Sequence, residues 1–382
     1  EQIYVTHSLA PATSKDPSTV QFSPAQPVTT PADGTNTFPW IVAGSDGRVD
    51  VAWYHTPCTS DNFKFGAANL LHAEWSVQLG QSLDAHAAQP SYRMASVTEH
   101  PVKFGQICTN GLGCATGGDR SLGDFLQVDI DNRGGAIVSY VDDTSADTAA
   151  GENAGPEVIS RQIGGASLLS NVGTITGTGG GPGLAVDHVS DPHGDANYSA
   201  NGSRTPASSN LDLTGASLTD GPGHTLVAKI HVASLASLSV PPTLGGPDAS
   251  WMIRWTEVTP GQTGNGHIYY AGMDANGGLP GRAPSFFAGD TSCLPNPGNP
   301  AEHCKYLTYP QTHVLSASQA GYNPNTGVIT LMVPRSDVGN PAAGTPLYSV
   351  TAFTTTALAP QSQATLFNLI DGATPFDHTV GP

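Results

Sequence analysis

Trp40-Ile41-Val42-Ala43-Gly44-Ser45-Asp46-Gly47-Arg48-Val49-Asp50-Val51-Ala52-Trp53-Tyr54 is the stretch on which the fold turns. It reads as an apolar strand, a Ser-Asp-Gly turn, and a second strand in which Val49, Val51 and Trp53 share one face by period-2 alternation. The figure returns downstream. Phe125-Leu126-Gln127-Val128-Asp129-Ile130 leads to the turn Asp131-Asn132-Arg133-Gly134-Gly135, and then to Ala136-Ile137-Val138-Ser139-Tyr140. Glu74-Trp75-Ser76-Val77 and Val158-Ile159-Ser160-Arg161 supply a further strand after each hairpin. Strand units repeated in this way are the grammar of β-propeller blades, at about 40–50 residues each. Tyr54 and Tyr140 stand 86 positions apart, which is long for one blade. An insertion is expected between them, at the loop around Cys108 and Cys114.

Composition agrees with an all-β chain. The 382 residues include 45 Gly and 31 Pro, and turn formers at that density leave little room for long helices. A hydrophobic content of 38%, with 11 Phe, 11 Tyr and 5 Trp, is enough to fill a core. A net charge of −17 makes nucleic acid and anionic membrane poor partners. No apolar run approaches the roughly 18 residues of a membrane-spanning helix. Residues 1–165 read as the propeller-like segment, and residues 166–186 as a Gly/Thr-rich linker centred on 173–182. Residues 187–382 read as a β-sandwich. Within it Thr225–Val232 alternates, Trp251-Met252-Ile253-Arg254-Trp255 puts both tryptophans and Ile253 on one face, and 267–271, 328–333 and 347–353 follow as strands. Pro334-Arg335-Ser336-Asp337-Val338-Gly339 reads as one short helical turn.

The five cysteines suggest two short-range disulfides, Cys108–Cys114 and Cys293–Cys304, because each pair brackets a loop that needs stapling. The spacings are not those of short zinc-ligand motifs. Cys58 is left over. Local disulfides imply an oxidising compartment, so the protein is expected to be secreted, extracellular or at the cell surface. No Cys-x-x-Cys-His occurs, which removes covalent haem. No Gly-rich phosphate loop precedes a helix, which removes a nucleotide.

Residues 1–165 resemble secreted bacterial sialidase-like (BNR-type) propeller proteins. The residues that carry the likeness are Phe38-Pro39-Trp40 with Gly47–Tyr54, and Ile107-Cys108 to Cys114 followed by Arg120-Ser121-Leu122-Gly123-Asp124-Phe125. Residues 187–382 resemble the immunoglobulin-like, carbohydrate-binding-module or DOMON-like sandwiches appended to secreted hydrolases and peptidases. There the marks are Asp191-Pro192-His193-Gly194-Asp195, Asn210–Leu213 and Val333–Gly339. The sialidase Asp-box, Ser-x-Asp-x-Gly-x-Thr-Trp, is absent. Two blades cannot close a ring that needs at least four. The chain is therefore expected to be a C-terminal piece of a longer precursor, or to be completed by another chain.

The resemblance implies an arginine cluster, a Tyr nucleophile paired with a Glu, and an acid. The residues available for these roles are Arg48 and Arg120, with Arg93 and Arg133; Tyr54, Tyr92 and Tyr140; and Glu74 and Glu99. The competing assignment makes the tyrosines blade core and gives Arg120 and Asp124 the task of holding the disulfide loop. Asp187, Asp191 and Asp195 form an oxygen-rich segment suited to Ca²⁺, which takes six to eight oxygen ligands. Asp129/Asp131 and Asp142/Asp143/Asp147 are weaker clusters, with turn capping as the alternative. His188 and His193 fall in the same segment as the first set. Trp251 and Trp255, with Tyr269 and Tyr270, either stack on sugar rings or form the sandwich core. The leading expectation is a secreted, non-catalytic surface or matrix protein acting by adhesion or self-assembly, or through contact with the rest of its precursor. The alternatives are a sialidase-type glycoside hydrolase, complete only in a longer precursor, and a carbohydrate-binding accessory module.

Overall fold

The computed structural model describes residues 2–9, 20–57, 73–98, 100–105, 107–108, 121–122, 126–145, 155, 157–176, 188–200, 203–258, 266–278, 282–294, 306–360 and 368–382. The fold is all-β, and its described sheets are antiparallel throughout. The chain packs as two compact units, residues 1–144 with 154–181 and residues 182–259 with 265–382.

In the first unit the strands Thr35–Ala43, Val49–Thr56, Glu74–Ser82 and Arg93–Ser96 pair in chain order, a blade-like meander. Lys103–Phe104 adds to the Glu74–Ser82 strand. The expected repeat follows as Gln127–Ile130, Ala136–Val141 and Glu157–Arg161, again in chain order. Both turns rest on a glycine with positive φ, Gly47 at 73° and Gly134 at 73°, a backbone shape that disfavours side chains with a Cβ. Alternation sorts the side chains as expected. Val51 and Trp53 join Ile3 and Val28 on one face. Ala52, Tyr54, Trp75, Val77, Val128, Val138 and Tyr140 share a core on the other.

The first strand begins earlier than the apolar run suggested. Phe38 takes φ 52°, and the register slips between Thr37 and Trp40, so a bulge joins two halves of one strand. The linker segment also differs in its first half. Gly164–Ala166 and Thr174–Thr176 form a hairpin. Leu168 is fully buried, and its backbone bonds both Ser45 and Gly134. Arg48 Nη1 donates to Ser167 O at 2.8 Å. Long-range bonds of this kind are invisible to composition, which registers only the glycines.

In the second unit a five-stranded sheet runs His188–Ser190, Leu213–Gly221, Thr225–Val232, Val328–Pro334, Ala320–Asn323. A seven-stranded sheet runs His313–Val314, Ser285–Asp290, His267–Asp274, Asp248–Glu257, Pro346–Ala357, Asn368–Gly372, with Phe376–Thr379 also on Pro346–Ala357. Leu218, Ala228, Ile230 and Leu331 from the first sheet share one core with Trp251, Ile253, Trp255 and Val350 from the second, which makes the unit a sandwich. Met252, Tyr270, Phe287 and Phe353 face the other way, with Tyr309 against them. Arg335–Asp337 is a 3-10 turn, as the sequence predicted.

Candidate metal centre

The residues that gather carboxylates lie in the sandwich unit and come from both of its sheets. The edge strand His188–Ser190 pairs with Leu213–Gly221, and Asp191 follows it, its N–H donating to Thr214 O at 3.2 Å. The chain then turns through Pro192, His193 and Gly194 (φ 92°) to Asp195. Asp212 holds this turn from beneath. It accepts from Gly194 N at 2.9 Å, and its Oδ2 meets His193 Nδ1. Asp371 arrives from the Asn368–Gly372 strand of the other sheet, accepting from Leu213 N at 2.8 Å and from Gly372 N at 2.9 Å. Carboxylate oxygens of Asp191, Asp195 and Asp371 thereby lie within 4.8 Å of one another.

Like charges this close oppose ionisation of the more buried carboxyls, Asp191 and Asp371. Burial, and then the charges of Asp371, Asp195 and Asp212, push the Asp191 carboxyl up to about 7. Asp371 is raised mainly by burial, an effect that its two backbone donors offset in part. Asp191 Oδ2 is buried and has no hydrogen-bond partner. An all-oxygen set with an orphaned buried oxygen suits a hard divalent cation such as Ca²⁺. Asp191, Asp195 and Asp371 are the residues that would hold it.

The expected trio was Asp187, Asp191 and Asp195. Asp187 lies outside the described residues, and the structure supplies Asp371, with Asp212 behind. Nothing local to Asp191 announces Asp371, which enters through sheet packing. His193 is turned onto Asp212. The other acidic clusters are committed to structure. Asp131 caps its turn through Arg133 N and Gly135 N and pairs with Arg161. Asp142 binds His100 and Thr144, and Asp143 binds Lys103 and Ser121. Asp147 lies outside the described residues.

The candidate sialidase residues are not brought together among the described residues. Tyr54 is fully buried, its hydroxyl accepts from Val141 N at 3.1 Å, and burial pushes it up to about 12, away from a nucleophile's range. Tyr140 is buried with its hydroxyl against Ser160 Oγ. Tyr92 packs against the opposite face, on the Val51 and Trp53 cluster. Arg48 is spent on Ser167 O, Arg133 donates to Thr176 O, and Glu74 is exposed. Arg120 and Glu99 lie outside the described residues.

The sugar-stacking alternative for Trp251 and Trp255 is corrected. Both are fully buried in the inner core, and Trp251 Nε1 donates to Asn210 O at 2.6 Å. Tyr270 is buried too, while Tyr269 stands edge-on to His267. The expected bridges involve Cys114 and Cys304, and these, with Cys58, lie outside the described residues.

No family model matches the chain, and no curated protein matches it. Among solved structures, one described as showing that the GH130 family of mannoside phosphorylases contains glycoside hydrolases targeting β-1,2 mannosidic linkages is similar at 10% identity. The alignment covers 88% of this chain and 84% of that one, with a TM-score of 0.17. That score is too low for the likeness to bear on fold or activity. No helix among the described residues is long and apolar enough to cross a membrane.

Proposed function

We propose that this protein is a non-catalytic extracellular surface or matrix protein that acts by adhesion to further copies of itself, with calcium tying the two sheets of its sandwich. One observation carries the reading. Among the described residues, every exposed large hydrophobic side chain within a sheet of three or more strands lies on a terminal strand. These are Trp40 and Ile41, Met94, Ile159, Val314 and Leu369. A terminal strand offers unpaired N–H and C=O groups, and apolar side chains beside them favour pairing with another chain.

The edges differ in their protection. Thr35–Ala43 carries Pro39 and a bulge, and Asn368–Gly372 carries a bulge and the inward-facing Asp371, devices that discourage pairing. Glu157–Arg161 has neither. It pairs in unbroken register with Ala136–Val141 and leaves Ile159 69% exposed. Lysine, the usual edge guard, occurs five times in the chain and never in this strand.

The test is sedimentation velocity over a wide concentration range, for the wild-type chain and Ile159→Lys. Concentration-dependent association that Ile159→Lys weakens is expected. A wild-type chain that stays monomeric throughout, or one that turns over a fluorogenic sialoside, would overturn the reading.

A further inference from the structure

Away from the carboxylate centre, at the end of the Asp248–Glu257 and His267–Asp274 strands, two carboxyl groups meet inside the protein. Asp248 is 1% exposed and Asp274 is fully buried. Asp274 accepts from Asn276 N at 2.6 Å, Ser250 Oγ at 3.3 Å and Gln311 Nε2 at 3.4 Å. Asp248 Oδ1 accepts from Gly277 N, while its Oδ2 is buried without any donor. Asn276 and Gly277 are consecutive, so their N–H groups hold the two buried carboxyls side by side. Two adjacent buried negative charges would cost several kcal/mol, a cost that one proton held between them removes.

The surrounding atoms decide what resolves the conflict. Asn276 N, Gly277 N, Ser250 Oγ and Gln311 Nε2 all act as donors toward the pair. Donors stabilise an anion and repel a cation, so this site is unlike the Asp191 centre. We infer that Asp248 and Asp274 share a single proton and thereby form a pH-sensitive latch on the Asn276–Gly277 turn. Both residues of that turn hold left-handed backbone, φ 52° at Asn276 and 78° at Gly277, and each spends its N–H on one carboxyl of the pair.

Burial first, and then the Asp274 charge, raise the Asp248 carboxyl to about 7, so the proton leaves as pH passes through neutrality. Asp274 is the charged group facing Asp248 from the neighbouring strand. The strand on its other side meets it at Ala357, and the turn meets it at Gly277, neither of which titrates. Below about pH 7 the latch is closed; above it a second negative charge drives the carboxyls apart and frees the turn.

Hydrogen exchange at the Asn276 and Gly277 amides reads the latch directly, with the full chain in chelator so that no metal occupies the other carboxylate centre. After correction for intrinsic exchange, wild-type protection is expected to fall at least tenfold between about pH 5.5 and pH 8.5. Asp248→Asn, which keeps the shape and cannot ionise, should hold protection constant across that range. The same pH dependence in Asp248→Asn as in wild type would overturn the inference. Should the variant not fold, the ¹³C shift of the Asp248 carboxyl in wild type decides. Titration near neutrality supports the latch, and titration in the ordinary carboxylate range refutes it.

Discussion

Lys103→Met offers a sharp test of how the first unit is held together. Lys103 Nζ lies 2.8 Å from Asp143 Oδ2, and the two side chains are 0% and 3% exposed. Ser121 Oγ adds a bond to the same oxygen at 2.9 Å, and Asp143 N reaches Val102 O at 2.8 Å. Asp143 Oδ1 has no partner. Methionine keeps the length of the stem and deletes the ammonium, leaving a carboxylate buried with one hydroxyl for company. Removing one partner of a buried pair costs about 3–5 kcal/mol. A unit of this size loses about 2–4 °C of melting temperature per kcal/mol, so the first unit should melt roughly 6–20 °C lower. Scanning calorimetry gives the shift, and hydrogen exchange along Glu74–Ser82 assigns it to the correct unit. The double variant Lys103→Met/Asp143→Leu should recover most of the loss, because it also removes the carboxylate that Lys103→Met strands. If Lys103→Met melts within about 2 °C of wild type, the pair is not the buried anchor described here. If the double variant is no better than the single one, the cost lies in packing and not in charge.

Two further outcomes are expected. Calcium at a hundredfold over its dissociation constant should stabilise the sandwich unit by about 2.7 kcal/mol, raising its melting temperature by about 5–10 °C over a chelator control. Asp195→Asn, at an exposed position, should remove most of that rise in the same calorimetry without lowering the calcium-free baseline. Asp50 is fully buried, and burial raises its carboxyl from 3.8 to about 6. A raised carboxyl stabilises the fold below pH 4 and loses that contribution as pH climbs to about 6. Asp50→Asn should therefore match wild type near pH 4 and exceed it by up to about 3 kcal/mol at pH 8, measured by urea unfolding at each pH.

Much of the architecture was readable because strands advertise themselves by a local rule. Val51 and Trp53 on one face, Ala52 and Tyr54 on the other, follow from alternation alone, and Trp251, Ile253 and Trp255 likewise. Alternation says which residues share a face and not what covers it. For Trp251 the cover is the second sheet, so a sugar platform and a core wall look the same in sequence. The candidate site was legible only in part, for the same reason. Asp191 and Asp195 are neighbours in the chain, but Asp371 reaches them because Leu213 N bonds its carboxylate across 158 positions. The hairpin at 164–176 was hidden for a related reason: a Gly/Ser/Thr run has the composition of a linker, and only the contacts of Leu168 make it structure.

The net charge of −17 is not only a surface property. Among the described residues, Asp50, Asp142, Asp143, Asp212, Asp248, Asp274 and Asp371 are buried, against the buried cations Lys103 and Arg335. Arg335 pairs with Asp220, outside this set, and Lys103 pairs with Asp143, inside it. The remaining burial must be offset in other ways, and the structure uses a different one at each place. Asp142 borrows the half-buried His100 at 3.0 Å. Asp212 and Asp371 lean on backbone N–H groups and complete a centre with the donor set of a divalent cation. Asp248 and Asp274 are ringed by donors, which suits a shared proton and not a metal. Protons leave as pH rises, while calcium competes better as carboxyls ionise. The two devices therefore respond to pH in opposite senses within one sandwich. With calcium bound, the Asp191 centre would bear the load at neutral pH, and in acid the Asp248 pair would.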